Sequence, residues 1–173
     1  MKIIIGIDPG SRATGYGLIS CNGSDLRYIA SGSIKTQQKS FFDRLRDIYD
    51  GVDLVLSEYT ADICAVEGVF MAENPNSALK LGQARGVALA AVLAREITIV
   101  EHSARKVKKV LVGTGSASKQ QVQYMVKSLL RLDGTMSTDA SDALAIAICH
   151  VYSMRTDSGE GHRHLNPRDF YRG

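Results

Sequence analysis

Ile3–Ile19 reads IIIGIDPGSRATGYGLI, and the fold turns on how that stretch divides. An apolar run from Lys2 to Ile7 ends on Asp8, Pro9 and Gly10 turn the chain, and Thr14 to Ser20 returns alongside. Apolar runs bounded by Pro and Gly read as strands joined by a turn. An ionised Asp8 at the edge of a core needs a hydrogen-bond donor, a cation or a metal. The plainer reading is a turn former whose side chain bonds nearby backbone N–H groups. Which reading holds depends on whether other acids can reach Asp8.

Outward from that stretch, Leu26–Ile34 alternates across a tight Asn22-Gly23 connection, which predicts a three-stranded antiparallel meander. Ser40–Glu58 has helical periodicity, with Phe41, Phe42, Leu45, Ile48, Tyr49, Val52, Val55 and Leu56 expected to pack as a stripe on the sheet. Asp62–Val66 is a short apolar run of the kind found in a central strand covered on both faces, and it ends on Glu67. Asn74–Arg95 predicts a long helix rich in Ala and Gly, whose small face from Ala78 to Ala91 suits close packing by the sheet or a second copy. Ile97–Val100 follows as an edge strand, and Ser103 is placed to cap a basic helix running to Val112. Gly113–Lys119 reads as a polar loop and is no P-loop, since the GxxxxGK[ST] spacing is absent. Helices are expected over Gln120–Leu132 and Thr138–Ser153, with polar chain beyond. The organisation expected is one domain over residues 1–154 and a polar, flexible C-terminal tail over 155–173.

A chain of 173 residues suits one domain with a sizeable core. No apolar stretch is long and charge-free enough to span a bilayer, and the N-terminus lacks the apolar core and cleavage site of a secretory signal, so a cytoplasmic protein is expected. Cys21, Cys64 and Cys149 are widely spaced and form no CxxC, which argues against a disulfide frame or structural zinc. His150, His162 and His164 lack ligand spacing with other acids and read as surface residues. The net charge of +3 says little, but its distribution says more. From His102 to Arg131 there is no Asp or Glu, while Arg105, Lys106, Lys108, Lys109, Lys119, Lys127 and Arg131 make a surface suited to phosphates.

The last predicted helix opens STDASDALAIAI, with Asp139 and Asp142 three residues apart on one face. Alone, the pair reads as helix capping. Together with Asp8 and Glu67 it reads differently. A mixed sheet with adjacent first and fourth strands brings all four acids to one edge, where they repel one another unless cations neutralise them. Hard oxygen ligands select Mg²⁺ or Mn²⁺, and an acidic site for two such ions beside a basic surface suits phosphoryl transfer on a nucleic acid.

The element order, with acids on the first strand, the fourth strand and a C-terminal helix, resembles the ribonuclease H-like fold: α/β, with a mixed five-stranded sheet, its first three strands antiparallel, and helices on both faces. The strings GIDPGSRATGYGLI, VEGVFMAENPNSALKLGQARGVAL, GTGSASKQQV and DASDALAIAICH are similar to the RuvC-type Holliday-junction resolvases of bacteria, over Lys2 to about His150. The resemblance implies a homodimeric, Mg²⁺-dependent endodeoxyribonuclease that nicks four-way junction DNA symmetrically during recombination and repair, in partnership with the RuvA–RuvB branch-migration complex. It implies that Asp8, Glu67, Asp139 and Asp142 are metal-binding catalytic acids. It further implies that Phe70 engages unpaired bases, and that Lys108 and Lys119 serve DNA binding and catalysis. Arg105 and Lys109 join them as expected DNA contacts on the basic helix. Gly68 and Ser118 depart from the family pattern, where a larger residue and an acid are commoner. Two rivals stand beside this reading: a non-catalytic junction-binding module, and a lobe of an actin-like or sugar-kinase-type ATPase, whose first phosphate loop the opening string also resembles.

Overall fold

In a computed structural model, which describes residues 1–23, 25–36, 40–68 and 74–157, the chain opens with strands β1 (Lys2–Asp8), β2 (Ala13–Asn22) and β3 (Asp25–Lys35) in an antiparallel meander. Helix α1 (Phe41–Glu58) leads to β4 (Ile63–Glu67), α2 (Pro75–Leu93) leads to β5 (Thr98–His102), and α3 (Ala104–Val112), α4 (Lys119–Leu130) and α5 (Thr138–Asp157) complete the order. The sheet runs β3-β2-β1-β4-β5, with β4 parallel to both β1 and β5. This is the mixed five-stranded sheet expected, with first and fourth strands adjacent and the fifth at the edge.

Alternation along the central strands separates two cores. Ile4, Ile19 and Ala65 face α3, α4 and α5, whereas Ile5, Ile7, Leu18 and Cys64 face α1 and α2. Side chains one residue apart on a strand point to opposite faces, so a strand buried on both sides must be apolar throughout, as Ile3–Ile7 is. Asp62 anchors the start of β4 to β1, its carboxylate accepting from the Ile3 N–H at 2.7 Å while its own N–H donates to the Ile3 carbonyl at 2.8 Å.

The helix starts follow capping chemistry. Ser40, Asn74, Ser103 and Ser118 each accept from a backbone N–H in the first turn of α1, α2, α3 and α4. At Ser118 the cap is reciprocal: the Gln121 side chain accepts from the Ser118 N–H at 2.8 Å while Ser118 Oγ accepts from the Gln121 N–H at 3.2 Å. Lys119 is therefore the first residue of α4 rather than the end of a loop. The tail is expected from residue 155, but α5 runs on to Asp157, and residues 158–173 lie outside the described residues.

Candidate active site

Two strand ends meet on one edge of the sheet. The last register pair between β1 and β4 is Ile7 opposite Val66, so Asp8 and Glu67 follow side by side. Asp8 shares strand parity with Ile4, and Glu67 with Ala65, both of which face α5. The strand period therefore directs both carboxylates to the α5 side.

Helix α5 reaches them because the strands beneath it carry glycine. A Cβ at Gly15 would lie 2.1 Å from the Asp139 carbonyl oxygen, and one at Gly6 would lie 1.9 Å from the Ala143 carbonyl oxygen. Only a residue without a side chain permits that approach. Gly15 is the register partner of Asp8 across β1 and β2, so Asp139 rests over the residue paired with Asp8. Ser137 Oγ accepts from the Ala140 N–H at 3.3 Å and serves the helix start. The two aspartates are thus released from capping. Asp139 accepts from Ser33 Oγ at 2.9 Å, and Asp142 forms an ion pair with Lys119 Nζ at 3.6 Å.

The charges report the convergence. Burial pushes the Asp8 carboxyl up to about 7, and Asp142, Glu67 and Asp139 push it the same way against the opposing charge of Lys119. Glu67 is also raised, by burial and then by Asp142, with Lys108 and Lys119 opposing. For Asp142 burial raises the pKa, Lys119 draws it back down, Asp139 adds to the rise and Lys108 opposes it. Among the described residues, no three His, Cys, Asp or Glu side chains stand together as a ready-made metal cage. The acids share one electrostatic site without closing on one another. Their donor set is uniformly carboxylate oxygen, which fits a hard divalent ion and fits zinc or copper poorly.

Comparison with known proteins assigns the chain to a family. A family model described as crossover junction endodeoxyribonuclease RuvC matches residues 4–150. The chain belongs to the RuvC family. Crossover junction endodeoxyribonuclease RuvC of Serratia proteamaculans is 54% identical over 152 residues, covering 88% of each chain. The RuvC of Tolumonas auensis is 49% identical over 156 residues, covering 90% of each. The solved structure of T. thermophilus RuvC in complex with a Holliday junction substrate superposes with a TM-score of 0.85 at 29% identity, covering 91% of this chain and 98% of that one. The ribonuclease H-like fold is therefore the fold of this RuvC chain.

Of the basic residues, Lys119 stands beside Asp142 with its side chain 73% exposed, and Lys108 is half-buried on α3, close enough for its charge to oppose the rise at Glu67 and Asp142. Arg105 and Lys109 are exposed on α3, and the Arg105 side chain lies over Gly115. Phe70 falls outside the described residues.

One expectation is corrected. His150 is no surface residue: it is 7% exposed on α5, with Nδ1 3.1 Å from Nε2 of the equally buried His102 at the end of β5. Burial, then Lys106, then His150 push the His102 pKa down to about 4, so His102 is neutral at physiological pH. The pair links α5 to the strand beside Glu67. His162 and His164 lie outside the described residues. Two residues near the acids carried no functional signal in the sequence. Ser33 is one of two serines on β3, two residues apart on the same strand. Arg85 donates to the Glu67 carbonyl from an Ala/Gly-rich helix whose composition signals close packing and not a buried charge.

Proposed function

We propose that this chain resolves four-way DNA junctions by hydrolysing one phosphodiester bond at each cluster of Asp8, Glu67, Asp139 and Asp142. The observation that carries the reading is geometric: Asp8 and Glu67 end adjacent strands, and the Asp139 backbone rests on Gly15, the register partner of Asp8. The four carboxylates would hold Mg²⁺, two ions per site, with Mn²⁺ as a substitute. Bound there, the ions would supply Lewis-acid polarisation of the phosphate and a water acidic enough to deprotonate near neutral pH.

The chain's own residues do the rest. Ser33 fixes the orientation of Asp139 through a bond to Oδ2, and the Gly15 contact fixes the height of its backbone above the sheet. Lys119 sits at the first position of α4, where the helix dipole adds to its charge, and its exposed ammonium can leave Asp142 for a phosphate oxygen. Arg105, Lys108 and Lys109 extend that positive surface, and Phe70 is assigned to stacking on an unpaired base.

Two like nicks require two clusters, and a two-fold homodimer matches the symmetry of a four-way junction. Helix α2 is its proposed interface, since Leu79 and Leu93 are more than half exposed there and Gly82 and Gly86 face open space. Work alongside RuvA–RuvB in the cytoplasm completes the reading. No helix among the described residues is long and apolar enough to cross a membrane.

The test is direct. Purified protein incubated with a synthetic four-way junction should nick it in symmetric pairs when Mg²⁺ is present, and should leave a linear duplex of the same sequence intact. Metal-independent cutting, or equal cutting of the duplex, would overturn the proposal. Lys119→Met should slow junction cleavage by about tenfold or more and make the logarithmic salt slope of binding shallower by about one. An unchanged rate and slope would remove Lys119 from the DNA surface.

A further inference from the structure

Arg85 is 9% exposed on α2, and its guanidinium divides between two acceptors. Nη1 donates to the Glu67 main-chain carbonyl at 2.8 Å, and Nη2 donates to the Glu101 carboxylate on β5. A buried guanidinium must have its donors satisfied, and a planar fork does so in one fixed orientation. Here one tine is committed to the backbone of an acid-bearing residue. The same peptide unit is held from its other side, where the Gly68 N–H donates to the His102 carbonyl at 2.9 Å. The β1–β4 register ends at Ile7 and Val66, so the Glu67 carbonyl lies one residue beyond it. Arg85 supplies the donor that β1 no longer offers.

The geometry points to Arg85 as a positioning residue that fixes the Glu67–Gly68 peptide, and through it the Glu67 carboxylate, for binding the divalent ion. This rests on the proposed role of Glu67 as a metal ligand. Arg85 touches neither the DNA nor the ion in this assignment. It acts by adding a second restraint to the last peptide of β4, which the β5 ladder holds only through the Gly68 N–H. Because Arg85 sits on the helix proposed to pair two copies, it also ties the acid to the dimer face by one side chain. Ligand-orienting contacts of this kind are worth roughly 10–100-fold in metal affinity or activity.

The test titrates Mn²⁺ alone into full-length protein by calorimetry, comparing wild type, Glu67→Gln, Arg85→Gln and Arg85→Lys, with junction affinity measured in chelator and unfolding measured in urea. The expected result is a Mn²⁺ affinity about tenfold or more weaker in Arg85→Gln and intermediate in Arg85→Lys, which keeps the charge but loses the fork. Junction affinity in chelator should stay within about twofold, since Arg85 is buried away from phosphates. Wild-type Mn²⁺ affinity in Arg85→Gln, with weakened affinity in Glu67→Gln, would overturn the positioning role alone. Wild-type affinity in Glu67→Gln would overturn the reading beneath it, and the positioning role with it. Should Arg85→Gln fail to fold, Arg85→Lys carries the comparison: weakening of about threefold or more supports the role, and unchanged affinity overturns it.

Discussion

Asp8→Asn is expected to lower metal-dependent junction cleavage by on the order of a thousandfold or more while leaving junction affinity within about twofold. The substitution is nearly isosteric and removes one negative charge from a surface that must approach phosphates, so binding has no reason to weaken. Gel-shift assays in chelator and single-turnover cleavage in Mg²⁺ separate the two, and retained cleavage would remove Asp8 from the chemistry. The same variant should be more stable than wild type when no metal is added. The sign follows from where the proton sits. The carboxyl titrates at about 7 in the folded chain against an ordinary 3.8, so between those values the folded state holds a proton that the unfolded state has released. Wild-type stability from this group is complete below about 4 and is lost as pH rises through 7. Asp8→Asn should therefore melt no higher than wild type at pH 4, increasingly higher between pH 4 and 7, and by a constant margin above that. Added Mg²⁺ should narrow the margin, because it favours the wild-type carboxylate. Melting curves at pH 4, 6 and 8 check this, and a margin that shrinks as pH rises would contradict the electrostatic origin.

That prediction could be framed from residues because the features beneath it are local. A carboxylate closing an apolar run is visible in any strand, and the parity that turns Asp8 and Glu67 toward α5 follows once the strands are placed. The competing reading of Asp139 and Asp142 as helix caps was sound on propensity, and it yields only because Ser137 takes the capping role. What stayed hidden depends on distant or backbone partners. His150 meets a histidine 48 residues earlier, with no periodicity to announce it. Arg85 serves a main-chain carbonyl, and a carbonyl has no residue identity to read. The start of α4 is a different case. Ser118 and Gln121 form a capping-box signature in plain view, and reading it puts Lys119 on the helix.

Gly15→Ala should carry the second large effect, through the contact between β2 and α5. The added methyl would meet backbone, not the end of a flexible side chain, at 2.1 Å from the Asp139 carbonyl oxygen. Either α5 lifts or β2 bends. Overpacking of this sort costs about 1–3 kcal/mol, which for a chain of this length lowers the melting temperature by roughly 2–4 °C per kcal/mol. Activity should suffer more than stability. Asp139 rides on the displaced carbonyl, and a misplacement of about 1 Å at a reacting centre can remove on the order of a hundredfold in rate. Cleavage and melting of the same preparation compare the two, and full activity in Gly15→Ala would show that α5 can move without disturbing the acids.

Helix α5 has one more consequence. From Ala143 to Val151 every residue is buried, against the sheet on one side and beneath α3 and α4 on the other. Enzymes often place their working groups on loops that open at little cost, but Asp139 and Asp142 stand on the first turns of a helix whose next nine residues are all buried. Local fraying can silence Lys119 or the basic helix without unfolding anything else. Asp139 and Asp142 lead directly into that buried stretch, so heat should unseat these two acids along the same curve that melts α5 from the sheet.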